Sequence, residues 1–165
     1  MTQLKTIKIA FIGGGNMASA LIGGLLQKGA VAKNICAADP YEPTRKKLVD
    51  EFKIGVEASI SEIASQITKA NIVVLAVKPQ QLKEACTELA PIIQSGDHAP
   101  VCLSVAAGIM TGDIARWLSH KKIIRAMPNT PALIGQGMTG LFATAATNDE
   151  EQRLAQTICD AVGTT

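Results

Sequence analysis

The residues best suited to chemistry lie near the start of the chain. Phe11-Ile12-Gly13-Gly14-Gly15-Asn16-Met17-Ala18 fits the pattern GxGxxA, directly after an apolar run. Each position has a physical task. Gly13 permits a tight turn off a strand, Gly15 lets a ligand come close to the backbone, and small Ala18 lets a helix sit against a sheet. A helix starting here presents unpaired N–H groups and a partial positive charge, which suits phosphate. The spacing points to the pyrophosphate of a dinucleotide; the alternative is a glycine turn that binds nothing.

Three further segments should join this loop if the strands run parallel, because ligands then gather at the strands' C-terminal ends. They are Asp39-Pro40-Tyr41, Ala76-Val77-Lys78-Pro79 and Val105-Ala106-Ala107-Gly108. The last two are small and turn-rich, which permits close approach to a flat ring. Lys78 stands at a helix start, where a cation opposes the helix dipole, so it is read as a cofactor or substrate contact. Asp39 lies where an acid binds the ribose hydroxyls of NAD and repels a 2′-phosphate. Thr44, Arg45, Lys46 and Lys47 follow and offer a place for such a phosphate, so the choice between NAD and NADP stays open.

The elements that must position these residues alternate along the chain. Ile7, Ile9 and Phe11 predict a strand near 6–12, and the i, i+4 recurrence of Met17, Leu21 and Leu25 predicts a helix ending near Gly29. Further strands are expected at 35–38, 54–56, 72–77, 101–105 and 123–127, with a final one at 137–142. Helices are expected after Pro40, from Ser59 or Ser61, from Pro79, over 109–118 with Thr111 as cap, and over 149–162. The unbroken run Ile72-Val73-Val74-Leu75-Ala76-Val77 suits a parallel strand buried on both faces. The pattern is that of one α/β domain, Rossmann-like and doubly wound, with a mainly parallel sheet and helices on both faces.

Composition narrows the function. Hydrophobic residues make up 47% of the 165 and charged residues 18%, as in globular proteins. Net charge is +2 and aromatics are 3%, so there is neither a basic stripe nor a stacking platform for nucleic acid. No apolar run is long enough for a bilayer, and Met1-Thr2-Gln3-Leu4-Lys5 leads toward the first strand without a signal-peptide core; a soluble, cytoplasmic protein is expected. Cys36, Cys86, Cys102 and Cys159 form no CxxC pair and read as structural thiols. His98 and His120 have no partner at metal spacing and read as solvated, so no metal site is expected.

With these motifs in hand, the chain resembles pyrroline-5-carboxylate reductase. The likeness rests on the glycine loop, Ala76-Val77-Lys78-Pro79-Gln80, Ser104-Val105-Ala106-Ala107-Gly108, and above all Ile124-Arg125-Ala126-Met127-Pro128-Asn129-Thr130-Pro131. The resemblance implies reduction of the cyclic imine pyrroline-5-carboxylate to L-proline by hydride from NADPH or NADH. It places pyrophosphate contacts on Ile12, Gly13, Gly14, Gly15, Asn16 and Met17, and the adenosine side on Asp39 and Pro40. Nicotinamide contacts fall on Ala76, Val77, Lys78, Pro79, Val105, Ala106 and Ala107, and Asn129 and Thr130 border nicotinamide and substrate. Family members often carry Ser or Asn-Arg where Asp39-Pro40 stands, a departure that bears on the usual NADPH preference.

An iminium carbon is already electrophilic, so alignment with a hydride donor is the main requirement and no catalytic acid or base is assigned. The resemblance also implies that a C-terminal helical domain holds most of the substrate and builds a homo-oligomer. That domain is expected to be absent, leaving residues 1–165 as the dinucleotide-binding domain of a truncated chain with little activity alone. Two other readings are a β-hydroxyacid or 6-phosphogluconate type dehydrogenase, and a non-catalytic dinucleotide-binding module.

Overall fold

The structure, a computed structural model, describes residues 2–165. Eight strands form one sheet. The first six are β1 (Ile9–Ile12), β2 (Ile35–Ala38), β3 (Gly55–Glu57), β4 (Ile72–Leu75), β5 (Val101–Ser104) and β6 (Ile123–Pro128). All six pair in parallel. β7 (Gly137–Ala143) pairs antiparallel with β6, and β8 (Gly163–Thr164) runs parallel to β7. The parallel order 3-2-1-4-5-6 makes the boundary between β1 and β4 the topological switch point, where a doubly wound sheet opens a crevice.

Strand side chains alternate between two cores, which is why the central strands are apolar at every position but Ser104, the last of β5. On one face Phe11, Val74, Leu103 and Ile124 pack with Leu21, Ile22 and Leu25 of α2 (Asn16–Gln27), Leu48 of α3 (Glu42–Phe52) and Leu154 and Ile158 of α7 (Asp149–Cys159). On the other, Ile12, Val73, Leu75 and Cys102 meet Ile67 of α4 (Ala64–Ile67), Leu82, Cys86 and Leu89 of α5 (Pro79–Ser95), and Ile114 and Leu118 of α6 (Thr111–Leu118). Each such Leu or Ile, fully buried, stabilises the fold by about 1.5–3 kcal/mol relative to exposure. The expected Rossmann-like class with helices on both faces is what forms.

The differences from the sequence reading have local causes. The first strand begins at Ile9, because Thr2–Thr6 forms a short helix, α1; Met1 of the expected lead-in lies outside the described residues. β4 stops at Leu75 and β5 at Ser104, releasing Ala76, Val77 and Val105 into loops. Met110, not Thr111, takes the α6 cap position, and neither side chain caps the helix. Ser59 binds Glu62 Oε2 through both N–H and hydroxyl, ahead of a 3-10 turn over Ser61–Ile63 that leads into α4. Helix α7 ends at Cys159 and continues as a 3-10 turn to Val162.

All four cysteines are free and buried, as structural thiols should be. Burial pushes Cys36 up to about 11 and Cys86 and Cys159 to about 12. His98 is exposed as expected, but His120 is half-buried with Nε2 2.8 Å from the Pro100 carbonyl. The expectation of a solvated His120 fails because the loop before β5 folds back over it.

Candidate dinucleotide site

The glycine loop leaves β1 at the switch point, and its three glycines have different duties. Gly13 has φ of 96°, and a Cβ there would lie 2.7 Å from the Ala76 carbonyl oxygen. Its N–H donates to Ala38 O at 2.8 Å, so this residue ties β1 to the ends of both flanking strands. A Cβ on Gly14 would meet Leu48 Cδ1 at 2.6 Å and Thr44 Cγ2 at 3.0 Å. Gly14 thus lets α3 close on the loop. Gly15 is the N-cap of α2 with φ −69° and ψ −165°, and nothing lies within 4 Å of a Cβ built on it.

The fold itself therefore needs glycine at 13, crowds position 14 with α3 side chains, and leaves position 15 free. A surface kept bare beside a helix N-terminus is what close approach of a phosphate requires. Helix α2 has no acidic residue in its first turn and no side-chain cap, so the first N–H groups, at Asn16 and Met17, are not claimed by a protein acid.

A hollow of about 310 Å³ opens beside this loop, lined by Ile12, Gly13, Ala38, Pro40, Val77 and Ala85, with Ala58, Ser59 and Ile60 on one wall and Gln81, Glu84 and Glu88 on another. Its place beyond β2 suits the adenosine half of a dinucleotide. Sequence reading did not anticipate the 58–60 wall or the α5 residues. Their signal is topological: β3 lies next to β2, and α5 starts at the end of β4. A larger hollow of about 540 Å³ lies between β7 and α7 around Leu141 and Gln152. It touches no loop from a parallel strand end, so the smaller hollow is the candidate site.

Asp39 stands between Ala38 and Pro40, which line the hollow. Its Oδ2 accepts from Gly14 N–H at 2.8 Å and its Oδ1 from Tyr41 N–H at 2.9 Å. Arg45 Nη1 donates to the main-chain carbonyls of Asp39 and Pro40 at 3.0 and 2.8 Å. Lys46 and Lys47 point to solvent from α3. Glu62, behind the Ser59 wall, is held below the usual carboxylate range by hydrogen bonds from the Ser59 hydroxyl and N–H.

On the other side of the switch point, Ala76 N–H donates to Ile12 O at 2.8 Å, so the 76–79 loop and the glycine loop form one unit. Lys78 is the N-cap of α5: its carbonyl accepts from Gln81 N–H at 2.9 Å, and its exposed ammonium has no hydrogen bond or ion pair among the described residues. Val105 N–H donates to Leu75 O at 3.1 Å, which brings the third loop alongside. Within it Ala107 is exposed, whereas the Ala106 methyl is packed into the core and its N–H meets Ser104 Oγ at 3.3 Å.

Asn129 is more distant from the hollow. Its Oδ1 accepts from Met138 N–H at 2.9 Å, joining the end of β6 to β7. The following 3-10 turn, Thr130–Ile134, packs Ala132 against the α2 side of the sheet. Arg125 escaped sequence reading as a site residue. It lies beside buried Ser104 in the sheet, and its Nε is buried with no hydrogen-bond partner.

The family described as "NADP oxidoreductase coenzyme F420-dependent" matches residues 8–108, which hold the glycine loop and all three strand-end loops. The chain belongs to that family. It is 42% identical to a pyrroline-5-carboxylate reductase of Pseudomonas aeruginosa over 161 residues, covering 97% of this chain and 57% of that protein. It is 44% identical to the enzyme of that name from Haemophilus influenzae, covering 95% of this chain and 56% of the relative. The chain thus spans little more than half the length of these relatives. A solved pyrroline-5-carboxylate reductase from Coxiella burnetii superposes with a TM-score of 0.89 at 35% identity, over 96% of this chain and 57% of that one. A 3-hydroxyisobutyrate dehydrogenase from Mycobacterium tuberculosis, at 14% identity and a TM-score of 0.72, shares the fold alone.

Proposed function

We propose that this chain is the dinucleotide-binding part of a pyrroline-5-carboxylate reductase, the complete protein reducing 1-pyrroline-5-carboxylate to L-proline. The observation that carries the reading is Gly15, bare at the mouth of α2 for no reason internal to the fold. The relatives' names supply the substrate, and the family description supplies the cofactor class, NAD(P)H. When bound, that cofactor supplies the hydride.

The chain's own contribution is placement. Gly15, Asn16 and Met17 receive the pyrophosphate on backbone N–H groups, and Asp39 and Pro40 border the adenosine ribose. Ile12, Gly13 and Gly14 shape the loop beneath it, with the N–H groups of Gly13 and Gly14 turned to protein acceptors. The 76–79 and 105–107 loops flank the nicotinamide, with Lys78 as the free cation at that edge. Asn129 braces the neighbouring β6–β7 end. Because a protonated imine accepts hydride without activation by a strong acid, orientation is the main catalytic demand on these residues. Substrate grip and subunit contacts are assigned to the further length that relatives possess. Reduced, buried thiols suit a cytoplasmic location, and no helix among the described residues is long and apolar enough to cross a membrane.

Calorimetric titration with NADH and NADPH, followed by an absorbance assay with pyrroline-5-carboxylate, tests this reading. Binding of at least one cofactor with little turnover is expected. Failure to bind either overturns the site, and robust turnover overturns the division of labour.

A further inference from the structure

The family's description names NADP, but the adenosine end of this site is built for an unphosphorylated ribose. We infer that the chain selects NADH over NADPH and that Asp39 is the selecting residue, an inference that rests on the dinucleotide reading above.

The Asp39 carboxylate is fixed in place. Gly14 N–H holds one oxygen and Tyr41 N–H the other, at 2.8 and 2.9 Å. The backbone is held as well, since Asp39 N–H donates to Glu57 O at 3.0 Å and Pro40 restricts the next φ. The side chain cannot swing aside for a bulky anion without giving up two charge-assisted bonds. Each oxygen still has acceptor capacity, which matches the two hydroxyl donors of a plain ribose. A 2′-phosphate removes one of those donors and sets a second anion against the carboxylate.

The surroundings add to this repulsion. Glu84 and Glu88 line the hollow and no lysine or arginine does. Arg45 is the nearest cation on α3, and its Nη1 is committed to the Asp39 and Pro40 carbonyls. Those bonds brace the Asp39 turn and hold that end of the guanidinium against the main chain. Lys46 and Lys47 are exposed and make no contact that would aim them at the ribose.

The test is titration of the whole chain with NADH and with NADPH, by calorimetry, for the native sequence and for Asp39→Ser. The native chain is expected to bind NADH at least tenfold more tightly. Asp39→Ser removes the charge, so it should gain NADPH affinity and lose NADH affinity, narrowing or reversing the ratio. Should the serine variant fail to fold, Asp39→Asn, which keeps the shape and removes the charge, serves the same purpose. Equal or tighter binding of NADPH by the native chain overturns the inference and leaves the dinucleotide reading standing; so does an unchanged ratio in a folded variant. Binding of neither cofactor overturns the dinucleotide reading itself.

Discussion

Replacing Gly15 by alanine separates what the loop does for the fold from what it does for a ligand. At φ −69° and ψ −165° the backbone is one that alanine adopts without strain, and nothing lies within 4 Å of the added methyl. Reduced freedom of the unfolded chain stabilises such a variant by about 0.4–1 kcal/mol. Loss of glycine from an N-cap costs about 0.5–1 kcal/mol, so the two effects offset and net stability stays within about 1 kcal/mol of the native chain. Gly13→Ala is the contrast. Its φ of 96° costs an L-residue about 1–2 kcal/mol. Crowding against the Ala76 carbonyl adds about 1–3 kcal/mol.

Binding should invert that order of severity. The new methyl at Gly15 stands on the surface proposed to receive the pyrophosphate, where lengthening several N–H to phosphate bonds would weaken each. A loss of at least about tenfold, or about 1.4 kcal/mol, is expected for NADH. Urea denaturation gives the stability of each variant, and calorimetry on the folded Gly15→Ala protein gives the affinity. Native affinity in a folded Gly15→Ala chain refutes the placement of the pyrophosphate. A stability loss above about 2 kcal/mol refutes the claim that the fold has no use for glycine there.

Two other perturbations probe the frame of the site. Burial holds the His120 imidazole below its ordinary value of 6.5, and Lys122 adds to this while the Pro100 carbonyl and Glu151 oppose it. The unfolded chain therefore protonates first on acidification, so the neutral ring's contribution is full above about pH 6.5 and declines as pH falls toward the lowered value. Melting temperatures between about pH 5 and 8 should show this decline in the native chain and a flatter profile in His120→Gln; parallel profiles exclude His120 as the cause. Arg125→Met should leave stability unchanged or raise it by up to about 1 kcal/mol, because the buried Nε surrenders no hydrogen bond. A drop of more than about 1 kcal/mol in urea denaturation counts against an unpaired guanidinium.

The parallel frame was legible because its causes are local. Apolar runs at 35–38, 72–75 and 101–103 are buried on both faces, and a strand of that kind has few other places to go. The elements that were misjudged lack such a signal. Thr2–Thr6 is too short for a helical period, and the two-residue strand Gly163–Thr164 exists only because β7 offers an edge at Gly137 and Met138. The wall formed by Ala58, Ser59 and Ile60 was equally invisible, since its place depends on β3 adding beside β2. His120 was misjudged for a similar reason: its partner, Pro100, is twenty residues away in sequence.

The glycine motif shows how far a local pattern reaches. Its spacing indicates phosphate, yet by itself it assigns glycine at three positions for undifferentiated reasons. The structure separates them. Gly13 is required because the loop must pass against the Ala76 carbonyl, where a Cβ would sit 2.7 Å away. Gly14 is favoured because α3 closes over it through the Thr44 and Leu48 side chains, which a Cβ would displace. Those two contacts lock the loops after β1, β2 and β4 into one rigid rim, since Gly14 also donates to Asp39. Gly15 alone faces outward from that rim. A site whose walls are braced by the protein and whose single unbraced position is bare is preorganised for a ligand, and affinity follows from not having to order the loop on binding. The same bracing fixes Asp39, the residue proposed to read the ribose, so on that proposal affinity for the dinucleotide and choice between its two forms arise from one set of contacts.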